Sequence, residues 1–477
     1  MATAIDRNFT DSTIRPTARG KTSFLPEPEP APLWCPIISV DDHLLEPPDL
    51  FVSRLPQRLR EAAPHVKYDA EGVPFWLLAD ERLPIIPANG ASGRPMDEWT
   101  LAPQKYEEFR AGVSDSRQRL LDMDLNGVWA SLCFPSLLFG FAGRKLSSLE
   151  DQDLGLACIR AYNDWVIEEW CAADRDRYIP CQLPWLNDPS LAAAEIRRNA
   201  NRGFTSISFT EQPELQGLPS LYSDYWEPVW NALEETDTVV NLHIGSSGYT
   251  TRPSSVSPAD VIVALFPVVG VMTAVDWIYS KIPVRHPALR IVLSEAGVSW
   301  VPTVIERLYR AHRQVEASSA WSTTDPHPVD VLRRSFRFTS IEDTSAFRQL
   351  DLIGVENVML ESDYPHNDSS WPATQPLVRR QIEHLDENQY ECCVTRTRRN
   401  CTGILRLPRT GYRDRNSASS VARNDRSCLA HVLLVYKRES RFSKSGRCPT
   451  AYQLIGHRAA KDGGSRPRLR PSEHTPR

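Results

Sequence analysis

The sequence VMLESDYPH, at residues 358–366, decides how the rest of the chain is interpreted. Val358-Met359-Leu360 is a short apolar run of the kind found in buried strands, and Pro365 ends it. Asp363 is therefore expected at the C-terminal tip of a strand, which is where α/β proteins bind their ligands. A carboxylate followed three residues later by a histidine suits metal binding or proton transfer. The alternative is a strand-end aspartate that only caps the next loop, and this stretch alone does not separate the two.

Length and composition are those of a soluble globular protein. The 477 residues can form one large α/β domain with extra segments, or two ordinary domains. No apolar run approaches the length of about 18 residues that a membrane span needs. The N-terminus is charged and has no apolar signal segment, and the ten cysteines form no CxxC pair. A cytoplasmic protein with reduced thiols is therefore expected.

The two ends of the chain differ from its body. Residues 1–34 are polar and then proline-rich, which predicts a disordered arm. Residues 408–477 contain 16 Lys and Arg against 5 Asp and Glu, a net charge of +11, while the rest of the chain carries −16. We interpret this segment as a basic tail of low order. A basic arm for nucleic acid or membrane is the alternative, but the tail has few aromatic residues and no recognition motif, so neither partner is expected.

Strands and helices alternate through the body of the chain, which predicts a parallel sheet. The predicted strands are residues 37–43, 128–134, 178–183, 204–209, 238–243, 289–294, 336–340 and 355–360. Eight such units favour a closed (β/α)8 TIM barrel over an open sheet, and we assign it to residues 35–407. Residues 64–95 alternate β-forming and turn residues, which predicts a β-hairpin inserted after strand one. No GxGxxG follows the first strand, so a dinucleotide site is not supported.

Residues that can bind metal recur at the ends of these strands. Asp41 and His43 end strand one, His243 ends strand five, Glu295 follows strand six and Asp363 follows strand eight. In a barrel these positions converge at one end, and residues two apart on a strand face the same way. Two imidazoles and two carboxylates suit Zn²⁺, Mn²⁺ or Fe²⁺. We therefore predict one divalent metal ion held by Asp41, His43, His243 and Asp363.

Each of these residues also has a purely structural explanation. His243 can be a core histidine bonded to backbone, and Glu295 can cap the helix that begins near Val298. Each explanation is plausible alone. Their coincidence at several strand ends favours the metal site, because geometric convergence is the stronger criterion.

These segments resemble the amidohydrolase-related family, in the branch of the amidohydrolase superfamily that includes aminocarboxymuconate semialdehyde decarboxylase and the resorcylate-type decarboxylases. The resemblance rests on ISVDDH at residues 38–43, on His243 and on ESDYPH at residues 361–366, and it covers roughly residues 35–405. It implies a metal-dependent barrel, and it is weak for the substrate.

The resemblance also implies roles for individual residues. Asp41-x-His43 takes the place of the usual His-x-His or Glu-x-His, and His243 and Asp363 match the other metal ligands. Glu295 stands where the family often carries a catalytic histidine. A bound cation would favour the charged form of Glu295, and that would favour water activation over protonation of carbon.

We therefore expect a metal-dependent hydrolase or non-oxidative decarboxylase that acts on a small carboxylic acid. Asp363 can shuttle a proton, and Glu295 or His366 can be the second acid or base. One alternative is metal-dependent hydrolysis of a lactone, ester or amide. The other is a barrel that has lost catalysis and serves as a binding scaffold. The expected partner is a small-molecule substrate; a homo-oligomer is compatible with the sequence, which does not fix the oligomeric state.

Overall fold

The computed structural model describes residues 23–29, 34–86, 90–98, 102–249, 251–254, 256–314, 321–386 and 389–390. The predicted basic tail and most of the predicted N-terminal arm lie outside these ranges. The described strands are β1 (Ile37–His43), β2 (His65–Tyr68), β3 (Pro74–Leu78), β4 (Glu81–Pro84), β5 (Val128–Phe134), β6 (Tyr178–Ile179), β7 (Cys181–Gln182), β8 (Ser206–Phe209), β9 (Val239–His243), β10 (Ile291–Ser294), β11 (Phe336–Ser340) and β12 (Val358–Leu360).

Helices connect most of the parallel strands. They are α1 (Leu50–Arg54), α2 (Gln57–Arg60), α3 (Ser116–Asn126), α4 (Arg144–Ser147), α5 (Gln152–Trp165), α6 (Pro189–Ala200), α7 (Glu227–Glu235), α8 (Ala259–Ala264), α9 (Phe266–Tyr279), α10 (Ile282–Arg285), α11 (Val301–Gln314), α12 (Pro328–Ser335), α13 (Leu350–Ile353) and α14 (Thr374–Ile382). Among the described residues, none of these helices combines the length and apolarity needed to cross a membrane.

Local sequence signals set several helix ends. The side chains of Asp115, Asp151 and Asp188 each accept hydrogen bonds from backbone N–H groups in the first turn of α3, α5 and α6. Gly127 ends α3 with φ of 68°, a left-handed conformation that glycine adopts without steric cost. These signals fix where each helix begins and ends relative to the strand that it connects.

The parallel strands lie side by side in chain order. One sheet has the order β1-β5-β6 and a second has the order β7-β8-β9-β10-β11-β12. Only Pro180 separates β6 from β7, and proline cannot donate a ladder hydrogen bond. The predicted strand 178–183 is therefore present as two short pieces. The α/β class with parallel strands is confirmed.

The insertion after β1 has one more strand than a hairpin. β2, β3 and β4 form a three-stranded antiparallel sheet, in which Trp76 pairs with Val66 on one side and Leu83 on the other. It lies within residues 64–95, the range in which the sequence predicts a two-stranded hairpin.

Residues 23–29 differ from the expectation of a disordered arm. The Ser23 backbone N–H and hydroxyl donate to the carboxylate of Glu98 at 2.7 and 2.6 Å. The Leu25 N–H donates to the carbonyl of Gly93, and the Glu27 carboxylate pairs with a guanidinium of the body. These contacts hold the segment against the body, and the polar, proline-rich composition does not reveal them.

Two apolar clusters form the core. The larger one packs helices against the parallel strands. The smaller one lies among the strands themselves and consists of Ile38, Val40, Ala130, Leu132, Phe134, Ile179, Cys181, Val239, Val292 and Met359. The strands that build this second cluster also carry the polar residues described next.

Candidate metal centre

A register shift in β1 places two polar residues together at its end. Ser39 pairs with Ser131 of β5, whereas Asp42 pairs with Cys133, so three steps along β1 correspond to two along β5. This is the spacing of a β-bulge, which re-aims the side chains that follow it. Asp41 and His43 then follow Val40 on the side of the apolar cluster, and Asp42 points away from it.

His243 and Glu295 lie on neighbouring strands at the same level. Ser294, the last residue of β10, pairs with His243, the last residue of β9. Glu295 follows with φ of 56°, a left-handed conformation that is uncommon for residues other than glycine. Its backbone N–H donates to the Thr339 hydroxyl at 3.0 Å. The strand end therefore turns the Glu295 carboxylate toward the imidazole of His243.

Asp363 reaches the same place from the last strand. It follows β12 with φ of 53°, and its N–H donates to the carbonyl of Asp41 at 2.8 Å. The N–H of His43 in turn donates to the carbonyl of Tyr364 at 2.7 Å. These two backbone bonds hold the ends of the first and last strands together, although the residues are far apart in sequence.

Of the four predicted ligands, Asp41, His43 and His243 offer ligand atoms within 4.8 Å of one another, and Asp363 reaches this group through its contact with His43. His43 Nε2 lies 3.3 Å from Asp41 Oδ1 and 3.3 Å from Asp363 Oδ1, and His243 Nε2 lies 3.4 Å from Asp41 Oδ1. The Nε2 atoms of the two imidazoles are 3.1 Å apart. All four side chains are at most 1% exposed.

The donor pattern at this point suits a cation. His243 Nδ1 lies 2.7 Å from the carbonyl of Ile244, and His43 Nδ1 lies 3.4 Å from that of Pro135. If the Nδ1 atoms donate to these carbonyls, both Nε2 atoms present lone pairs to each other. The carboxylate oxygens of Asp41 and Asp363 have no aligned hydrogen bond within the described residues. Buried acceptors that face one another without a donor are costly, and a divalent ion would satisfy all of them.

Glu295, His366 and Asp368 extend this group on one side. Glu295 Oε2 lies 3.6 Å from His243 Nε2, and His366 Nδ1 lies 2.9 Å from Asp363 Oδ1. The His366 ring stacks on the ring of His43 with a centroid separation of 3.8 Å. Glu295, Asp363, His366 and Asp368 offer ligand atoms within 4.8 Å of one another. Both predicted acid/base residues are therefore beside the predicted ligands.

Glu295 does not cap the helix that follows it. The backbone N–H groups of Val298 and Ser299 donate instead to Asp343 Oδ1, at 3.2 and 3.4 Å. The Ser299 hydroxyl donates to the same oxygen at 3.0 Å. Asp343 therefore holds the turn that leads into α11, which is the place where the structural explanation put Glu295.

The carboxylates of the site accumulate negative potential. Burial, followed by the charges of Asp363, Asp368, Asp41 and Glu361, raises the pKa of Glu295 well above its usual range. Burial and Asp368 likewise raise the pKa of Asp363. A bound divalent cation acts on both groups in the opposite direction. The crowding of buried carboxylates is itself what makes the position attractive to a cation.

The histidines differ from each other in their protonation. Burial lowers the pKa of His366 to about 4, so its imidazole is neutral near pH 7. For His243, burial favours the neutral form, but the charge of Asp41 outweighs it and raises the pKa. Burial also opposes ionisation of Asp41, yet His243 and His43 lower its pKa to about 2. A proton therefore competes with a cation between Asp41 and His243.

Four residues near the site were not predicted from the sequence: Asp368, Glu361, Phe134 and Phe141. Glu361 is 2% exposed, and burial with the charge of Asp41 raises its pKa. The rings of Phe141 and Phe134 lie 4.0 and 5.0 Å from that of His243. Glu361 is the first residue of the ESDYPH motif, so the sequence could have indicated that it lies near the site. Phe141 lies in a loop after β5, and no sequence motif indicates that its ring is next to His243.

Comparison with known proteins gives relatives of low identity. The γ-resorcylate decarboxylase of Rhodococcus jostii (strain RHA1) is 24% identical over 277 residues, which are 54% of this chain and 80% of that protein. The γ-resorcylate decarboxylase of Rhizobium radiobacter is 23% identical over 292 residues, 57% of this chain and 81% of that protein.

Solved structures show a similar fold. An amidohydrolase from Mycobacterium avium subsp. paratuberculosis K-10 has a TM-score of 0.61 at 20% identity, covering 76% of this chain and 98% of that one. A dihydroxybenzoic acid decarboxylase from Polaromonas sp. JS666, solved with manganese and 2-nitroresorcinol, has a TM-score of 0.51 at 15% identity, covering 77% and 96%.

A family model described as amidohydrolase matches residues 142–394, more than half of the chain. The matched region contains His243, Glu295, Asp363 and His366, whereas Asp41 and His43 precede it. The resemblance noted in the sequence motifs is confirmed: this chain belongs to the amidohydrolase family.

Proposed function

We propose that this protein is a divalent-metal-dependent, non-oxidative decarboxylase of a small aromatic carboxylic acid. One observation carries the metal dependence: two imidazole Nε2 atoms face each other at 3.1 Å between two buried carboxylates that have no aligned donor among the described residues. The reaction and substrate class are inferred from the γ-resorcylate decarboxylases among the relatives.

The residues of the site have separable roles in this proposal. Asp41, His43, His243 and Asp363 would hold the ion, which supplies a Lewis-acidic centre for the substrate's oxygens. Glu295, when protonated, can donate its proton to the ring carbon. The electron pair of the breaking C–C bond stays on that carbon and CO₂ leaves. His366, neutral at pH 7, can donate a hydrogen bond from Nδ1 to Asp363 Oδ1, which is 2.9 Å away, and so orient that carboxylate.

We also infer that the parallel strands close into a (β/α)8 barrel, with β6 and β7 counting as one strand. The β1 and β12 ends are joined by the backbone bonds between Asp363 and Asp41 and between His43 and Tyr364. Closure would place every proposed ligand at the C-terminal end of the barrel, where such enzymes carry their active sites.

Hydrolysis of a lactone, ester or amide is the second candidate. The observation that favours it is Glu295, which occupies the place where the related decarboxylases often carry a histidine. An ionised carboxylate there can accept a proton from an attacking water, which is the step that hydrolysis needs. No loss of CO₂ would accompany this reaction.

Metal analysis followed by a substrate screen tests the proposal. We expect one divalent ion per chain and release of CO₂ from at least one phenolic or muconate-type acid. Chelation should abolish the activity, and Mn²⁺ or Zn²⁺ should restore it. Turnover of lactones or esters without CO₂ would support the second candidate. Purified protein that neither contains nor binds a divalent ion would contradict both.

A further inference from the structure

A buried arginine lies behind the proposed metal centre. Arg119, on α3, is 1% exposed. Its Nη2 donates to the carbonyl of His43, its Nε donates to the carbonyl of Gly112 at 2.7 Å, and its Nη1 lies 3.4 Å from Cys133 Sγ. Removing a guanidinium from water is costly unless its donors are matched by acceptors. Here those acceptors include the backbone of a proposed ligand.

Asp42 binds the segment after the last strand, on the same side of the proposed metal centre as Arg119. The register shift in β1 directs its carboxylate away from the metal centre. Asp42 Oδ1 accepts from the Ser362 hydroxyl at 2.6 Å and from the Tyr364 N–H at 3.1 Å. Asp42 Oδ2 accepts from the hydroxyl of Ser131 on β5. This carboxylate therefore ties β1, β5 and the segment that contains Asp363.

Tyr364 connects the two charged residues. The guanidinium of Arg119 lies over the Tyr364 ring, 4.3 Å from its centroid, where a cation is attracted to the ring face. The Tyr364 hydroxyl donates to Asp122 on the same helix as Arg119. The Tyr364 carbonyl accepts the N–H of His43. These contacts reach the backbone of His43 or the residue after Asp363, and none of them is to the side chain of a proposed ligand.

We propose that Arg119 and Asp42 form a buried clamp that sets the distance between His43 on the first strand and Asp363 on the last. They are positioning residues: neither contacts the space between the proposed ligands. This inference rests on the metal centre of the proposed function. If the clamp sets ligand geometry, loosening it should weaken metal binding while the fold persists. Outer-shell partners of metal ligands typically contribute about 10- to 100-fold in affinity.

Arg177 provides a matched control. Its guanidinium donates to the carbonyls of Trp129 and Val128, and it lies 4.9 Å from the centroid of the Trp129 ring. Like Arg119 it donates to two backbone carbonyls and lies beside an aromatic ring, but at the opposite end of β5, where it also pairs with Asp124 at 2.8 Å. Loss of Arg177 should cost fold stability without moving any proposed ligand.

The test compares Mn²⁺ affinity in the full-length wild type, Arg119→Met and Arg177→Met, with thermal unfolding of each measured in parallel. We expect Arg119→Met to weaken Mn²⁺ binding about 10- to 100-fold, and Arg177→Met to bind like the wild type. Equal affinities in all three proteins would overturn the clamp and leave the proposed function standing. A wild type that binds no Mn²⁺ would overturn both.

If Arg119→Met does not fold, two more conservative variants can still test the clamp in folded protein. Arg119→Lys retains the charge but loses the planar guanidinium whose N–H groups reach two carbonyls. Asp42→Asn retains the shape of the side chain but removes its charge. Both should weaken Mn²⁺ binding relative to Arg177→Met. Wild-type affinity in these two folded variants would overturn the clamp.

Discussion

The parallel strands carry apolar side chains midway along their length and polar side chains at their C-terminal ends. Midway along them, Val40, Val292 and Met359 belong to an apolar cluster and are fully buried. A few residues further on, Asp41 and Asp363 are just as buried but keep carboxylate oxygens with no aligned donor in the described residues. The apolar part stabilises the fold, whereas the polar part lowers its stability until something binds. Burial alone therefore does not distinguish core from site; buried carboxylates that lie beside imidazoles without an aligned donor do.

Removal of one proposed ligand should have the largest effect on the polar part of the strands. His243→Ala should lose most of the bound metal and reduce activity to background, because the site loses one of its four ligands. Added Mn²⁺ should raise the unfolding temperature of the wild type and not that of the variant. Metal content by elemental analysis and thermal unfolding check this. Full metal occupancy in His243→Ala would rule out the ligand assignment.

Glu295→Gln tests the acid/base role while keeping the proposed ligands. The variant preserves the size of the side chain and removes its ability to exchange a proton, so turnover should fall about 100- to 10,000-fold. Metal content should stay at the wild-type level. Steady-state kinetics on the substrate identified by the screen provides the measurement. Unchanged turnover would leave Asp363 and His366 as the acid/base pair.

Met359→Ala examines the apolar part of the same strands. Met359 is fully buried in the inner cluster, and truncating such a side chain typically costs about 2–5 kcal/mol of unfolding free energy. Metal bound per folded molecule should not change. Denaturant unfolding and metal analysis together measure the two effects. A loss of metal equal to that in His243→Ala would show that the two parts of the strands are not separable.

Glu46 predicts a pH dependence of stability. It follows β1 and is fully buried, and burial raises its pKa from 4.5 to about 7 although Ser136 donates to it. The folded state holds the proton more tightly, so this contribution is complete below pH 4.5 and is lost as pH rises to 7. It amounts to about 3 kcal/mol. Glu46→Gln should flatten that part of the stability profile, and an unchanged slope would contradict the assignment.

Removal of residues 408–477 should have the smallest effect. We expect the unfolding free energy, the metal content and the activity to stay close to those of the full chain, because the tail's composition cannot bury a sizeable core. Limited proteolysis and unfolding of the truncated protein measure this. Unfolding of the body after truncation at residue 407 would show that the tail belongs to the domain.

Sequence patterns located the strands well where their residues are buried on both faces. β1, β5 and β11 have the predicted bounds, and the apolar runs in β1 and β5 are of the kind that identifies buried parallel strands. The same patterns place Asp41, His43, His243, Glu295 and Asp363 at strand ends. Their convergence then follows from the parallel order of the strands, and their role as a metal centre stays a prediction.

Tertiary contacts determine what the patterns missed. The left-handed conformations of Glu295 and Asp363 depend on bonds to neighbouring strands, and no local signal encodes them. Asp343 binds the turn before α11 at Val298, 45 residues away in sequence. The helices α8 and α9 are separated at Leu265, just before Pro267. The first two features depend on partners distant in sequence, and the third occurs at a proline in the first turn of α9.

The backbone bonds between the first and last strands also fix when the site can exist during synthesis. The bond from the Ser362 N–H to the Ser39 hydroxyl joins residues 323 apart, and Asp363 is beyond every other proposed ligand in the chain. A nascent chain on the ribosome therefore carries Asp41, His43 and His243 without their fourth partner until almost the whole body has emerged. Such distant contacts form slowly because a long loop must close first. Under the proposed ligand assignment, an incompletely synthesised chain lacks Asp363 and does not hold the complete ligand set until β1 and β12 have met.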